Sequence, residues 1–73
     1  MRFSLDSTGQ MCPMPLLNLK LLLKNCKTGD TIEQSITDKT SLKDIPAWLE
    51  NKGHQVEIIE KSDGTYLIKS LIL

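Results

Sequence analysis

Two cysteines and one histidine are the residues of this 73-residue chain with the most obvious capacity for chemistry, and their surroundings differ sharply. Cys12 lies in Met11-Cys12-Pro13-Met14-Pro15, ahead of a Leu- and Lys-rich run, whereas Cys26 falls at the far end of that run. Two prolines so close together do not fit inside a helix, but proline is favoured at the first helical position, where a missing N–H costs nothing. Cys12 is therefore expected at an N-cap, with Pro13 opening a helix that continues to about Asn25. The first turn of a helix carries unpaired N–H groups and partial positive charge. With Pro13 and Pro15 lacking donors, Met14 and Leu16 supply the N–H groups that a thiolate at Cys12 would accept from. That setting is expected to lower the thiol pKa and make the sulfur a nucleophile. The competing reading is an inert buried thiol, the usual state of free cysteine.

Elimination narrows what such a thiol does. Hydrolytic cysteine catalysis needs a nearby base, and His54 is expected to start a strand at the opposite edge of the sheet. A metal site needs more ligands than two distant cysteines and one histidine supply. A dithiol redox motif needs a second cysteine two residues on, where Pro15 stands. With a helix between them, Cys12 and Cys26 are roughly 20 Å apart, at 1.5 Å per residue, too far for a disulfide. Single-sulfur chemistry remains: a thiolate accepts a sulfane sulfur as a persulfide and gives it up when an acceptor thiolate attacks the outer sulfur. Cys26 continues an apolar arc and is expected to be packed.

The elements that position Cys12 follow from periodicity. Arg2 to Asp6 alternates, with Phe3 and Leu5 on one face, and reads as a first strand. Ser7-Thr8-Gly9-Gln10 is a turn. On the first helix Leu16, Leu19, Leu22, Leu23 and Cys26 share one arc, and Lys20, Lys24 and Lys27 form a separate stripe. Leu17 and Leu21 lie off both and are candidates for an exposed apolar patch, which often marks an interface. Gly29-Asp30 ends the helix. Thr31 to Thr37 is a second strand with Ile32 and Ile36 on one face, and Asp38-Lys39-Thr40 is a loop. Ser41-Leu42-Lys43-Asp44 matches a capping box for a second helix carrying Leu42, Ile45, Trp48 and Leu49 inward. Pro46 there implies an irregular first turn or a helix proper beginning near Asp44. Gly53 closes that helix. Gln55 to Lys61 and Thr65 to Ile72 are strands three and four, joined through Ser62-Asp63-Gly64.

The order β-α-β-α-β-β gives an α+β, two-layer sandwich: a four-stranded mixed sheet with two helices on one face, formed as a single domain over residues 1–73. Sites in open α/β sheets form beyond the carboxyl ends of parallel strands. Cys12 follows the first strand and Asp38 the second, so both belong to that edge.

Nine basic and nine acidic side chains cancel, which builds no broad basic field for phosphate contacts. The N-terminus carries Asp6 where a signal peptide would continue its apolar run, and Leu16 to Leu23 is too short to span a bilayer. A soluble cytoplasmic monomer, without direct nucleic-acid or membrane binding, is expected.

Cys12-Pro13-Met14-Pro15 resembles the Cys-Pro-X-Pro motif of the TusA/SirA family of small sulfur-carrier proteins. Leu5-Asp6-Ser7-Thr8-Gly9, Thr37-Asp38, Lys43-Asp44-Ile45-Pro46 and Asp63-Gly64 resemble its other landmarks, so the likeness covers nearly the whole chain. The resemblance implies the fold derived above and a persulfide relay on Cys12. Pro13, Met14, Pro15 and Leu16 would support it, and Asp38, Lys43, Lys20, Leu17 and Leu21 would tune it or meet partners. It implies no cofactor, a sulfur-donor protein of cysteine desulfurase or rhodanese type, and an acceptor protein. Branches of the family serve tRNA thiolation, sulfur oxidation, molybdenum cofactor assembly or selenium metabolism. Met14 stands where tRNA-thiolation members often carry an acid, Lys43 where arginine is frequent, and Lys20 at the basic position of the first helix. The alternative class is a regulatory or interaction module on the same fold.

Overall fold

A computed structural model describes residues 2–73. In chain order its elements are β1 (Arg2–Ser7), α1 (Met14–Leu23), β2 (Thr31–Ile36), α2 (Lys39–Asn51), β3 (Gln55–Glu60) and β4 (Tyr66–Leu71). The sheet runs β1-β2-β4-β3. β1 and β2 are parallel, as a strand–helix–strand unit requires, and β4 is antiparallel to both of its neighbours. The second crossover thus skips one position, and the final hairpin folds β4 back into it. The α+β two-layer fold read from the pattern is the one observed.

One core joins both helices to the sheet. Leu19 of α1, Ile45 and Leu49 of α2, Ile32 and Ile36 of β2, Ile68 of β4 and Ile72 beyond it are buried together, with Leu16, Leu22, Leu23, Cys26 and Trp48 packed at its margin. Both helices cover the same face, and Lys20 lies over the Trp48 ring, 5.3 Å from its centroid, where they meet. Leu17 and Leu21 stay exposed, as their positions off the arc implied. β3 is an edge strand, with Ile58 and Ile59 both largely exposed.

Three boundaries differ from expectation. α1 stops at Leu23, short of Asn25, because Asn25 and Cys26 donate to Leu22 O and Leu23 O in tight turns, not four residues back. α2 begins at Lys39, within the stretch expected to be a loop. Asp38 is its cap, accepting from Ser41 N–H and from Ser41 Oγ, both at 2.9 Å. Ser41 is therefore inside the first turn, donating, and Asp44 closes no capping box. Third, α2 runs unbroken through Pro46, which is buried along with Ile45 and Leu49; its missing N–H leaves the Leu42 carbonyl without its helical donor. At the far end Gly53, at φ +89°, closes α2. Its N–H donates to Glu50 O and the His54 N–H to Leu49 O, the paired bonds of a left-handed glycine cap. Among the described residues no helix is long and apolar enough to cross a membrane.

Candidate functional site

The parallel strands β1 and β2 end at Ser7 and Ile36, and the segments that leave them are laced together. Gly9 N–H donates to Thr37 Oγ1 at 2.9 Å, and Cys12 N–H donates to Asp38 Oδ2 at 3.2 Å. Gly9 sits at φ +80°, a conformation that favours glycine and lets the chain reverse there. Asp6 Oδ1 holds Thr8 through both its N–H and its hydroxyl, and Asn18 of α1 donates to Gln10 Oε1 at 2.8 Å. The loop of residues 8–13 is thus fastened to β1, to the α2 cap and to α1.

Beneath it lies a contact made by Gln34. This side chain is only 1% exposed, and its Nε2 donates to Ser7 Oγ at 3.1 Å and to Pro15 O at 2.8 Å. Ser7 ends β1 and Pro15 lies in the first turn of α1, so Gln34 ties together the two ends of the segment that carries Cys12. Its Oε1 finds no partner among the described residues. The sequence held a signal for Gln34: it occupies the inward position between Ile32 and Ile36, where an alternating strand places an apolar residue.

Cys12 is exposed on this loop. It lies one residue before the cap of α1, which is Pro13, and the Cys12–Pro13 peptide is cis. The expected N-cap placement is therefore displaced by one residue. The Met14 N–H expected to meet the sulfur instead donates to Met11 O at 2.9 Å. What meets the thiol is Asp44, whose Oδ2 accepts from Cys12 Sγ at 3.6 Å.

The electrostatics reverse accordingly. Partial desolvation, the hydrogen bond to Asp44, and the negative charges of Asp44 and Asp38 all push the Cys12 thiol pKa up from its ordinary value, where the helix argument expected it down. Asp38 is held below the usual carboxylate range by the Ser41 N–H, then by the Ser41 hydroxyl, with Cys12 N–H a smaller contribution. Cys26 is half-buried, as expected of a packed thiol; its Sγ donates to Leu22 O at 3.5 Å, and burial raises its pKa.

The other residues singled out from sequence divide between the site and its surroundings. Asp38 is at the site, and so is Pro15, fully buried under the loop; Pro13 and Met14 are exposed beside it and Leu16 is half-buried. Lys43 is exposed on α2 and is not among the charges that act on Cys12. Lys20 is engaged with Trp48. His54 accepts from Leu73 N–H at 3.1 Å, at the start of β3 and so at the opposite end of the sheet from Cys12. Asp44 was missed because its local pattern read as a helix cap; its nearness to Cys12, 32 residues away, is purely tertiary. Met11 (73% exposed) and Met14 at the mouth of α1, and Leu17 and Leu21 (60%) further along it, present apolar side chains to solvent. The last three follow one another at helical spacings of three and four, which puts them on one face.

A family model described as Sulfurtransferase TusA matches residues 3–70. The chain belongs to the TusA family. It is 33% identical over 63 residues to a putative sulfur carrier protein of Archaeoglobus fulgidus, covering 86% of each chain. It is likewise 33% identical to sulfur carrier protein TusA of Pseudomonas putida, over 86% of this chain and 79% of that one. It is 41% identical over 51 residues to the putative sulfur carrier protein YrkF of Bacillus subtilis, of which it spans 28%. The crystal structure of a SirA-like protein from Desulfitobacterium hafniense superimposes with a TM-score of 0.87, covering 94% of this chain and 95% of that one at 24% identity, which establishes the fold in common.

Proposed function

We propose that this TusA-family chain is a sulfur carrier and that Cys12 is the atom-bearing residue. The single observation that supports this best is the contrast between its two thiols. Cys12 stands exposed on a fastened loop beyond the carboxyl ends of the parallel strands, while Cys26 is half-buried and bonded to a carbonyl of the first helix. The relatives named as sulfur carriers point the same way.

The transfer balances without an oxidant. On loading, the Cys12 thiolate attacks the outer sulfur of a donor cysteine persulfide; a new S–S bond forms on Cys12, the donor's S–S bond breaks, and the donor cysteine leaves as a thiolate that takes up the proton. On unloading, an acceptor thiolate attacks the outer sulfur of the Cys12 persulfide, and Cys12 departs as thiolate and is reprotonated. The sulfane sulfur keeps its oxidation state throughout, so no cofactor is required. Pro13 and Pro15 stiffen the turn, and the Met11, Met14, Leu17 and Leu21 side chains offer a docking surface around the sulfur. Donors of cysteine desulfurase or rhodanese type, acceptors in tRNA thiolation or a related sulfur pathway, and a monomeric cytoplasmic protein complete the reading.

The test is intact mass after incubation with a cysteine desulfurase and L-cysteine. One added sulfur that persists in Cys26→Ala and vanishes in Cys12→Ala is expected. Failure of Cys12 to take sulfur from any protein donor would overturn the reading. The exposed apolar face favours a second one, an interaction module that moves no sulfur; there Cys12→Ser would leave partner binding and phenotype intact.

A further inference from the structure

Nucleophilic cysteines are ordinarily found beside cations or helix N-termini, which stabilise the thiolate. The surroundings of Cys12 are the opposite. Its Sγ donates to Asp44 Oδ2 at 3.6 Å, and its N–H donates to Asp38 Oδ2 at 3.2 Å. Both acids come from α2, one as its cap and one on the following turn. The Asp38 carboxylate is fixed by Ser41 through two bonds of 2.9 Å, and Asp44 is half-buried. Among the described residues the charges that push the Cys12 thiol up are these two carboxylates, both from α2. Ionising Cys12 would break the S–H bond to Asp44 and set a thiolate against a carboxylate.

A carrier so arranged is guarded while it is alone. A protonated thiol is slow toward oxidants and stray disulfides, which take the thiolate. It must nevertheless ionise when it meets its donor. The Asp44 carboxylate has one feature that permits this: it is within reach of an incoming partner at an exposed loop, and a guanidinium or ammonium group is a stronger hydrogen-bond partner for it than a neutral S–H.

We propose that Asp44 is a latch on Cys12, released when the docking protein places a cationic side chain against its carboxylate. Pairing removes the acceptor that holds the S–H and neutralises the adjacent negative charge in the same event. The sulfur ionises with loss of its proton to water and attacks. The inference rests on the carrier reading for its purpose, but its physical content is a property of the thiol and is tested without persulfide.

The experiment uses the full chain and three symmetrical small disulfides at pH 7 and low ionic strength. Cystamine carries ammonium ends, bis(2-hydroxyethyl) disulfide is neutral, and dithiodiglycolate carries carboxylates. Each exchange forms one mixed disulfide on Cys12 and releases one thiolate, and peptide mass spectrometry reads Cys12 apart from Cys26. Wild type should react in the order cationic, neutral, anionic. Cystamine should lead the neutral reagent by about five-fold after correction for reagent reactivity on a free cysteine, the factor for one charge pair at about 4 Å in a water-like medium. Salt at about 1 M should abolish most of that lead. In Asp44→Asn the neutral reagent should react faster than with wild type at pH 7, the pH midpoint of the rate should fall, and the cation preference should shrink. Asp38→Asn should do less, since Asp38 bonds the amide and not the sulfur.

Equal corrected rates for the three reagents in wild type, or an unchanged neutral rate and pH midpoint in Asp44→Asn, would overturn the latch. The wild-type charge series needs no variant, so it decides the matter even if Asp44→Asn fails to fold. A chain that loads sulfur but shows no charge ordering sinks the latch and leaves the carrier reading. Charge ordering in a chain that never takes sulfur sinks the carrier reading and leaves the latch.

Discussion

Replacing Gln34 by methionine tests how the Cys12 loop is supported, because the structure sets two opposing terms against each other at that side chain. Gln34 is almost fully buried and donates to Ser7 Oγ and Pro15 O, while its Oε1 has no partner among the described residues. Methionine keeps the length and much of the volume but removes the whole amide. The bond to Pro15 O is lost, worth about 0.5–1.5 kcal/mol, and the fully buried Ser7 Oγ is left without its donor, at about 1–3 kcal/mol. Against that, the buried oxygen that costs about 1–3 kcal/mol unpaired is gone. The two unpaired-oxygen terms offset each other and the Pro15 bond is left over, so Gln34→Met should cost about 0.5–1.5 kcal/mol in urea unfolding. Hydrogen exchange at the amides of residues 8–13 should nonetheless quicken, since the tie between the end of β1 and the start of α1 is cut. Gln34→Glu should behave differently. An ionised carboxylate there points acceptors at the Pro15 carbonyl and buries a charge, costing about 3 kcal/mol or more at pH 7. Burial raises the pKa of the introduced acid in the folded state, so the variant should regain stability as pH falls and lose it as pH rises through that value. A loss above about 3 kcal/mol for Gln34→Met would refute the reasoning, because it would mean that the oxygen is satisfied and that nothing is recovered by removing it.

Other expectations follow from the same structure. Leu19→Ala, at the fully buried centre of the α1 arc, should cost about 2–5 kcal/mol in urea unfolding, a large share of the roughly 5–15 kcal/mol that domains possess. Asp6, Asp30, Asp38 and Asp63 are all held below the ordinary carboxylate value, by hydrogen bonds led by those from Thr8, Lys27, Ser41 and Thr65 respectively. Depressed folded pKa values contribute stability above the unfolded value of about 3.9 and lose it as pH falls through the folded ones. Urea midpoints should therefore hold steady from neutrality to about pH 5 and drop below about pH 4; a flat profile down to pH 2.5 would count against those bonds. Leu17→Lys and Leu21→Lys should change stability by no more than about 0.5 kcal/mol. They should slow sulfur uptake from a protein donor by about ten-fold while leaving uptake from a small persulfide unchanged. Equal slowing with both donors would remove the docking role.

The sequence carried the fold where local pattern and tertiary packing agree. The Leu16, Leu19, Leu22, Leu23 and Cys26 arc, the inward Ile32 and Ile36, and the Asp63-Gly64 hairpin all led to the observed layers. The edge shared by Cys12 and Asp38 followed from strand direction alone. The start of α2 did not, because two caps compete within seven residues. Ser41 and Asp44 have the right types for a capping box, but Asp38 stands three residues before Ser41 and takes its N–H first. Pro46 was read as implying an irregular first turn or a helix beginning near Asp44, although α2 starts at Lys39 and runs through it, with Ile45, Pro46 and Leu49 buried. Gln34 was overlooked because strand alternation was read for its apolar members, and the polar residue among them was the informative one.

The sign of the Cys12 environment shows how far a local argument reaches. A helix terminus offers about half a positive charge, felt within its first turn and screened by solvent. Cys12 stands one residue outside the cap, and the Met14 N–H that would have faced it is turned to Met11 O. Two whole negative charges on α2 act from the other side, and one of them accepts the thiol's own hydrogen bond. Desolvation, then the hydrogen bond and charge of Asp44 and the charge of Asp38, outweigh a partial charge that is offset and partly occupied, so the thiol pKa is pushed up. Nothing in the local pattern of residues 11–16 encodes this, because the deciding residue arrives from 32 positions away. The balance can shift without rearranging the fold, since positive charge added at Asp44 offsets both Asp44 contributions and leaves the helix terminus in place. On the latch proposal, a neutral chain with acids around Cys12 is matched to a cationic counterpart, and reactivity is completed at the encounter and not before it.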